Sequence, residues 1–144
     1  MKLLVSACLL GVPCRYDGAS KLCDAVSALA KTHTLIPFCP EIYGGLPTPR
    51  LPSECRDGRV IRADGTDVTD AYGKGAEQAL RLCRMLGIDG AILKSKSPSC
   101  GKGLIYDGSF TGMLTERDGV TAELLKKHGL RVYGESELAA LDNL

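Results

Sequence analysis

Short apolar runs alternate with helical patterns along this chain, and that alternation constrains the fold more than any other feature. Lys2–Ser6, Thr34–Phe38, Gly90–Lys94 and Leu130–Tyr133 read as compact buried strands. Between them the spacing predicts a helix over Ser20–Lys31, an amphipathic helix from Thr69 to Leu86 with Gly87 as its C-cap, and a helix over Val120–His128. A small strand is predicted at Arg59–Arg62, a tight hairpin over Leu104–Thr111 around Asp107-Gly108, and a short helix at the C-terminal end. Residues 40–58, punctuated by Pro40, Pro47, Pro49 and Pro52, are predicted as one long irregular loop. Strands alternating with helices imply an α/β fold, a Rossmann-like open parallel sheet with helices on both faces. The 144 residues suit a single domain spanning 1–144, and 44% apolar residues suffice for its core.

Charge and hydropathy narrow the partners. The 18 basic and 17 acidic side chains leave a net charge of +1, with no basic stripe of the kind that binds duplex nucleic acid. No run approaches the ~18 apolar residues of a membrane span. The apolar stretch before Ser6 is too short for a secretory signal, so a cytoplasmic protein is expected. Neither G-x-x-x-x-G-K-[ST] nor G-x-G-x-x-G occurs, which leaves an ATPase or a dinucleotide enzyme little support.

The seven cysteines carry more information. Their odd number argues against a fully paired secreted framework, and in a reducing compartment they ligate metal, do chemistry or fill core. Ligands of open α/β sheets bind beyond the carboxyl ends of the strands. Cys8 lies just past the first strand with Cys14 in the same loop, Cys39 ends the second, and Cys100 follows the third. If these strands are parallel, four thiols distant in sequence meet at one edge. Cys83, on the apolar stripe of its helix, and Cys23, within the predicted first helix, read as core; Cys55 reads as an incidental loop thiol. There is no C-x-x-C pair, so neither a thioredoxin-like dithiol nor the usual paired zinc spacing is present. An iron–sulfur cluster accepts scattered thiolates. Spacing alone leaves cluster, zinc and no metal all open.

Other residues cluster at the same edge. Cys39-Pro40-Glu41 sets a carboxylate two positions from a candidate ligand, and its place beside three strand ends makes Glu41 a candidate functional residue rather than a solvated loop acid. Arg15 and Arg50 are candidates for clamping a phosphate or polarising a carbonyl, or else for structural ion pairs. Lys94–Gly101 packs hydroxyls, backbone donors and cations into a tight bend suited to an oxyanion, with Ser99 within it. His33 and His128 fall at helix ends beside lysines and read as surface groups.

Cys8-Leu9-Leu10-Gly11, Cys14-Arg15-Tyr16-Asp17-Gly18, Cys39-Pro40-Glu41, Gly44-Gly45-Leu46-Pro47-Thr48-Pro49-Arg50 and Ser97-Pro98-Ser99-Cys100-Gly101 together resemble the thiouracil desulfidases, a group long catalogued as a bacterial domain of unknown function. Asp67-Val68-Thr69 and Gly119-Val120-Thr121 extend the resemblance over nearly the whole chain. It implies a [4Fe–4S] cluster held by three cysteines with one iron open, and a nearby catalytic cysteine and glutamate. Carried over by motif, Glu41 matches the glutamate. Of the four motif cysteines, Cys14, Cys39 and Cys100 are expected as ligands and Cys8 as the free, catalytic thiol, with Arg15, Arg50 and Ser99 toward the substrate. The implied reaction is non-redox, hydrolytic desulfuration of 4-thiouracil or 2-thiouracil, or the corresponding nucleotide, to uracil and hydrogen sulfide. Two other readings differ in class. A cluster- or zinc-binding module that carries sulfur or senses redox state would bind metal without turnover, and a nucleotide-binding α/β protein would hold no metal.

Overall fold

The computed structural model describes residues 1–143. Its elements run β1 (Lys2–Ser6), α1 (Asp24–Ser27), β2 (Thr34–Phe38), α2 (Pro40–Tyr43), β3 (Ser53–Arg56), β4 (Arg59–Arg62), α3 (Thr69–Leu86), β5 (Gly90–Leu93), β6 (Ile105–Tyr106), β7 (Leu114–Thr115), α4 (Val120–Lys127) and β8 (Arg131–Gly134), with 3₁₀ turns at Ala7–Leu10, Ala28–Lys31 and Leu138–Asn143. The main sheet is parallel throughout, in the order β2-β1-β5-β8. Alternation along its strands sends Leu4, Ala91, Leu93 and Val132 to one face, against Ala79, Leu80 and Cys83 of α3 and Ala122 and Leu125 of α4. Leu3, Val5, Ile92 and Tyr133 go to the other, against Val26 of α1 and Leu141. The expected α/β fold, with helices on both faces of a parallel sheet, is the one observed.

The inner strands are the rigid part. Leu3, Leu4, Val5, Ala91 and Ile92 are all fully buried, and each large aliphatic side chain so placed contributes about 1.5–3 kcal/mol. From β1 the chain crosses to β2 on one side, then returns past β1 to β5 on the other. The switch point therefore lies between β1 and β5. At their carboxyl ends the Lys94 N–H donates to Ser6 Oγ at 2.9 Å, tying the two loops that open there.

Three segments differ from the sequence expectation. The helix expected over Ser20–Lys31 begins only at Asp24 and tightens into a 3₁₀ turn at Ala28. The N–H groups of Lys21 and Cys23 bond instead to the carbonyls of Cys8 and Leu9, both at 2.9 Å, so this stretch braces the Cys8 loop and Leu22 faces solvent. Residues 40–58 are not one irregular loop: Pro40 sits at the first turn of α2, where its missing N–H costs nothing, and Ser53–Arg56 pairs with β4. The hairpin exists, but its strands are Ile105–Tyr106 and Leu114–Thr115, joined by a wide loop and not by a tight turn at Asp107-Gly108.

Helix α3 buries Tyr72, Gly75, Ala76, Ala79, Leu80 and Cys83 along one stripe and ends at Gly87 in the left-handed region, φ 63°. Its first turns meet α2 backbone to backbone. A Cβ on Gly75 would overlap the Pro40 carbonyl, and one on Gly44 would overlap the Ala71 carbonyl. Backbone cannot yield as a side-chain tip can, so Gly75→Ala is expected to destabilise the fold by about 1–3 kcal/mol. At Gly73, where an added Cβ meets nothing within 4 Å, the same change is expected to stabilise by about 0.5–1 kcal/mol through helix propensity. Denaturant melts of the two variants test the pair, and equal shifts of one sign would refute the close contact.

Candidate active site

The loops beyond β1, β2 and β5 bring Cys8, Cys14, Cys39 and Cys100 to one cavity of about 430 Å³, which Glu41, Ser99, Arg15 and Arg50 also line. Cys8 stands in the 3₁₀ turn after β1, Cys39 is the N-cap residue of α2, and Cys100 closes the bend after β5. All seven cysteines of the chain are free thiols. The four in the cavity perturb one another. Cys14 hydrogen-bonds to Cys8 and lowers its pKa, aided by the Lys94 cation, against burial and the charge of Cys100 and Cys39. Cys14 is lowered by a hydrogen bond from Cys39, but its own bond to Cys8 and its burial outweigh this, so it rises. Cys39 rises strongly because it donates to Cys14 and is desolvated. Burial pushes Cys100 up to about 12, against a hydrogen bond from Ser6. With their pKa values raised, Cys14, Cys39 and Cys100 are neutral thiols at pH 7, and a cation among them would be what holds them as thiolates. Among the described residues, no three His, Cys, Asp or Glu side chains are spaced for a single metal ion. Soft donors arriving from three separate loops, with no paired C-x-x-C spacing, suit the separate iron corners of a cluster better than one zinc.

Glu41 is fixed by three donors. Arg50 Nε reaches its Oε1 at 3.1 Å, the Tyr72 hydroxyl donates to the same oxygen at 2.9 Å, and the Ser99 hydroxyl donates to Oε2 at 3.0 Å. A carboxylate offers about four acceptor sites, so one remains, on Oε2. Arg50 is the inner half of this ion pair, with its side chain only 6% exposed. Its Nη1 bonds to the Pro47 carbonyl and Thr48 Oγ1, and its Nη2 to the Cys14 carbonyl at 3.0 Å. Of the roles open to Arg50, the geometry favours holding Glu41 and the Cys14 loop over gripping a phosphate. Arg15 is freer: it lies over the Tyr16 ring, 5.7 Å from the centroid, with Asp17 4.0 Å away.

The bend carrying Ser99 and Cys100 is built from its own hydroxyls. Ser97 Oγ accepts the N–H groups of Ser99 and Cys100, both at 3.1 Å. Ser99 has one hydroxyl proton; the charged Glu41 oxygen at 3.0 Å outcompetes Cys100 Sγ at 3.6 Å. Ser97, 2.9 Å away, then donates to Ser99 Oγ. Helix α4 locks the bend from behind, since Val120 and Thr121 donate to the carbonyls of Pro98 and Ser99, both at 2.8 Å. These bonds satisfy N–H groups that a helix start leaves open. Gly119 fits only without a side chain, because a Cβ there would press on Ser97 and Ser99.

The remaining cysteines stand apart. Cys83 belongs to the core under α3, where burial pushes it up to about 11. Cys23 packs against the opposite core from just before α1, not within it. Cys55 lies in β3, 3.6 Å from the Pro98 carbonyl, and is not among the cavity-lining residues. His33 pairs with the terminal amine and His128 with Arg84, both at exposed positions. Sequence reasoning missed Tyr72 and Ser6 as site residues. Tyr72 has a legible signal in hindsight, because a tyrosine on the buried stripe of a helix needs a partner for its hydroxyl.

Comparison with known proteins agrees with this geometry. A solved structure of a [4Fe–4S]-dependent thiouracil desulfidase, TudS, superposes with a TM-score of 0.91 at 46% identity, over 99% of each chain. YbbK, an uncharacterized protein of Bacillus subtilis (strain 168), is 40% identical over 94% of this chain and 97% of its own length. The sequence model for 2-thiouracil desulfurase matches residues 3–137, a span that takes in every cavity-lining loop. On that coverage and those identities, the chain belongs to the 2-thiouracil desulfurase family.

Proposed function

We propose that this chain is a hydrolytic desulfidase that converts a thiouracil, as free base or nucleotide, to uracil and hydrogen sulfide with a [4Fe–4S] cluster held in the cavity. The observation that carries the reading is the meeting of four free thiols with a carboxylate that keeps one acceptor site unused. In this reading Cys14, Cys39 and Cys100 hold the cluster and Cys8 is free. A second assignment uses the same cavity: the loop after β1 brings both Cys8 and Cys14 to it, so Cys8 can take the ligand place and leave Cys14 as the free thiol. When bound, such a cluster supplies a thiophilic Lewis acid at the iron that lacks a protein ligand.

The chain's own groups do the rest. Glu41, through the unused site on Oε2, takes a proton from water attacking the ring carbon of the thiocarbonyl. Arg50 and Tyr72 keep that carboxylate in place, and Ser99, bonded to the same oxygen, fixes its direction. The free thiol stands ready to hand a proton to the departing sulfur. The balance is thiocarbonyl plus water to carbonyl plus hydrogen sulfide, with no net electron transfer. Arg15, at the cavity wall, contacts the substrate. A charge of +1 suits a small thiopyrimidine and not duplex nucleic acid. Seven free thiols suit the reducing cytoplasm, and among the described residues no helix is long and apolar enough to cross a membrane.

Anaerobic purification with iron and sulfide analysis, followed by sulfide-release assays on 4-thiouracil and 2-thiouracil, tests the reading. Iron-loaded protein that releases hydrosulfide, and loses this activity when the iron is chelated, is expected. Full iron loading without release would favour a sulfur-carrying or redox-sensing module.

A further inference from the structure

The wide loop between β6 and β7 carries an aromatic side chain to the cavity that the proposed chemistry does not use. Phe110 lines the same cavity as the four thiols, 39% exposed, from a backbone at φ 56°. A bulky residue without glycine's freedom persists in that left-handed region only where its surroundings enforce it. Here the enforcing group is Glu54, another cavity-lining residue, whose Oε1 accepts the N–H of Gly108 at 3.0 Å and of Phe110 at 3.1 Å. Asp107 Oδ1 accepts the Ser109 N–H at 2.9 Å and stiffens the same turn. Gly108 lies so close to Arg56 and the Cys55 carbonyl that a Cβ would collide with both. The loop is thus clamped onto β3, and the clamp holds an aromatic ring in a conformation it would otherwise leave.

We propose that Phe110, held by Glu54, is the wall on which the flat ring of the substrate stacks, and so determines specificity for planar heteroaromatic thiocarbonyls. The proposal rests on the desulfidase reading for its substrate but not for its geometry. A ring face is sequence-tolerant toward bases and favours any planar π-system over an open-chain thioamide of the same reactivity. Phe110 does not touch Glu41 or the thiols through any hydrogen bond, so its effect belongs to binding and not to proton transfer.

Phe110→Ala is expected to raise KM for 4-thiouracil about tenfold or more, the loss typical of a base–aromatic stack, with kcat within about twofold. Phe110→Tyr should restore KM. Glu54→Ala should raise KM less, and Glu54→Gln, which keeps an oxygen acceptor for the two N–H groups, should stay near the parent. A second readout is independent of turnover. The chain has no tryptophan, so Phe110→Trp places a single tryptophan at the wall, and its selectively excited fluorescence should change saturably on titration with uracil. An unchanged KM in Phe110→Ala, or an emission indifferent to uracil in a protein that still releases sulfide, would overturn the proposal. A saturable response to uracil in a protein that never releases sulfide would uphold the wall and sink the desulfidase reading instead.

Discussion

Glu41→Gln is expected to lower kcat for sulfide release by about two to four orders of magnitude, the usual contribution of a positioned general base, while the iron content and visible spectrum stay unchanged. The choice of glutamine follows from the structure. Glu41 is paired with an almost fully enclosed Arg50, and truncation to alanine would leave that cation uncompensated, at a typical cost of about 3–5 kcal/mol. Loss of activity in Glu41→Ala would therefore mix chemistry with unfolding. Glutamine also removes the counter-charge and turns an amide toward Ser99, but it keeps an oxygen for Arg50 and Tyr72 and fills the same space, and it cannot take up the proton. Steady-state kinetics beside a thermal melt separates the two effects. A glutamine variant with parental kcat would remove the carboxylate from the reaction and reduce it to an anchor for Arg50.

The strands were legible because they are short, apolar and bounded by turn residues; β1, β2 and β4 begin and end where their pattern does. Helix α3 was legible because its apolar spacing persists over several turns before Gly87 stops it. The segment before Asp24 was not. Its apolar spacing fits a helix, but the Cys8 and Leu9 carbonyls claim its N–H groups, and periodicity carries no information about a competing acceptor elsewhere in the chain. The meeting of Cys8, Cys14, Cys39 and Cys100 followed from the parallel topology alone, since loops after parallel strands open on one side. The role of Arg50 did not follow. Whether a guanidinium grips ligand or protein depends on which carboxylates and carbonyls surround it, and here they come from α2, the Pro47–Thr48 turn and the Cys14 loop. The Phe110 loop lay further still from the sequence, because a left-handed phenylalanine is enforced by a glutamate on another hairpin.

Replacing Cys100 with alanine is expected to abolish cluster assembly, so that anaerobically purified protein is colourless and nearly free of iron and acid-labile sulfide. The thiol is 4% exposed, braced by Ser6, and carried on a bend that α4 fixes from behind. No cysteine beyond the cavity's own four is positioned to replace it: Cys55 is not among the cavity-lining residues, and Cys23 and Cys83 pack in the two cores. Cys39→Ala should behave alike, whereas Cys83→Ala, which removes a core thiol, should remain coloured and lose only stability. Cys8 and Cys14 then separate the two ligand assignments. If Cys14 is a ligand, Cys14→Ala is colourless and Cys8→Ala is coloured but inactive; if Cys8 takes that place, the two phenotypes exchange. A fully assembled cluster in Cys100→Ala is the outcome neither assignment survives, because with that thiol gone the loop after β5 contributes no cysteine to the cavity.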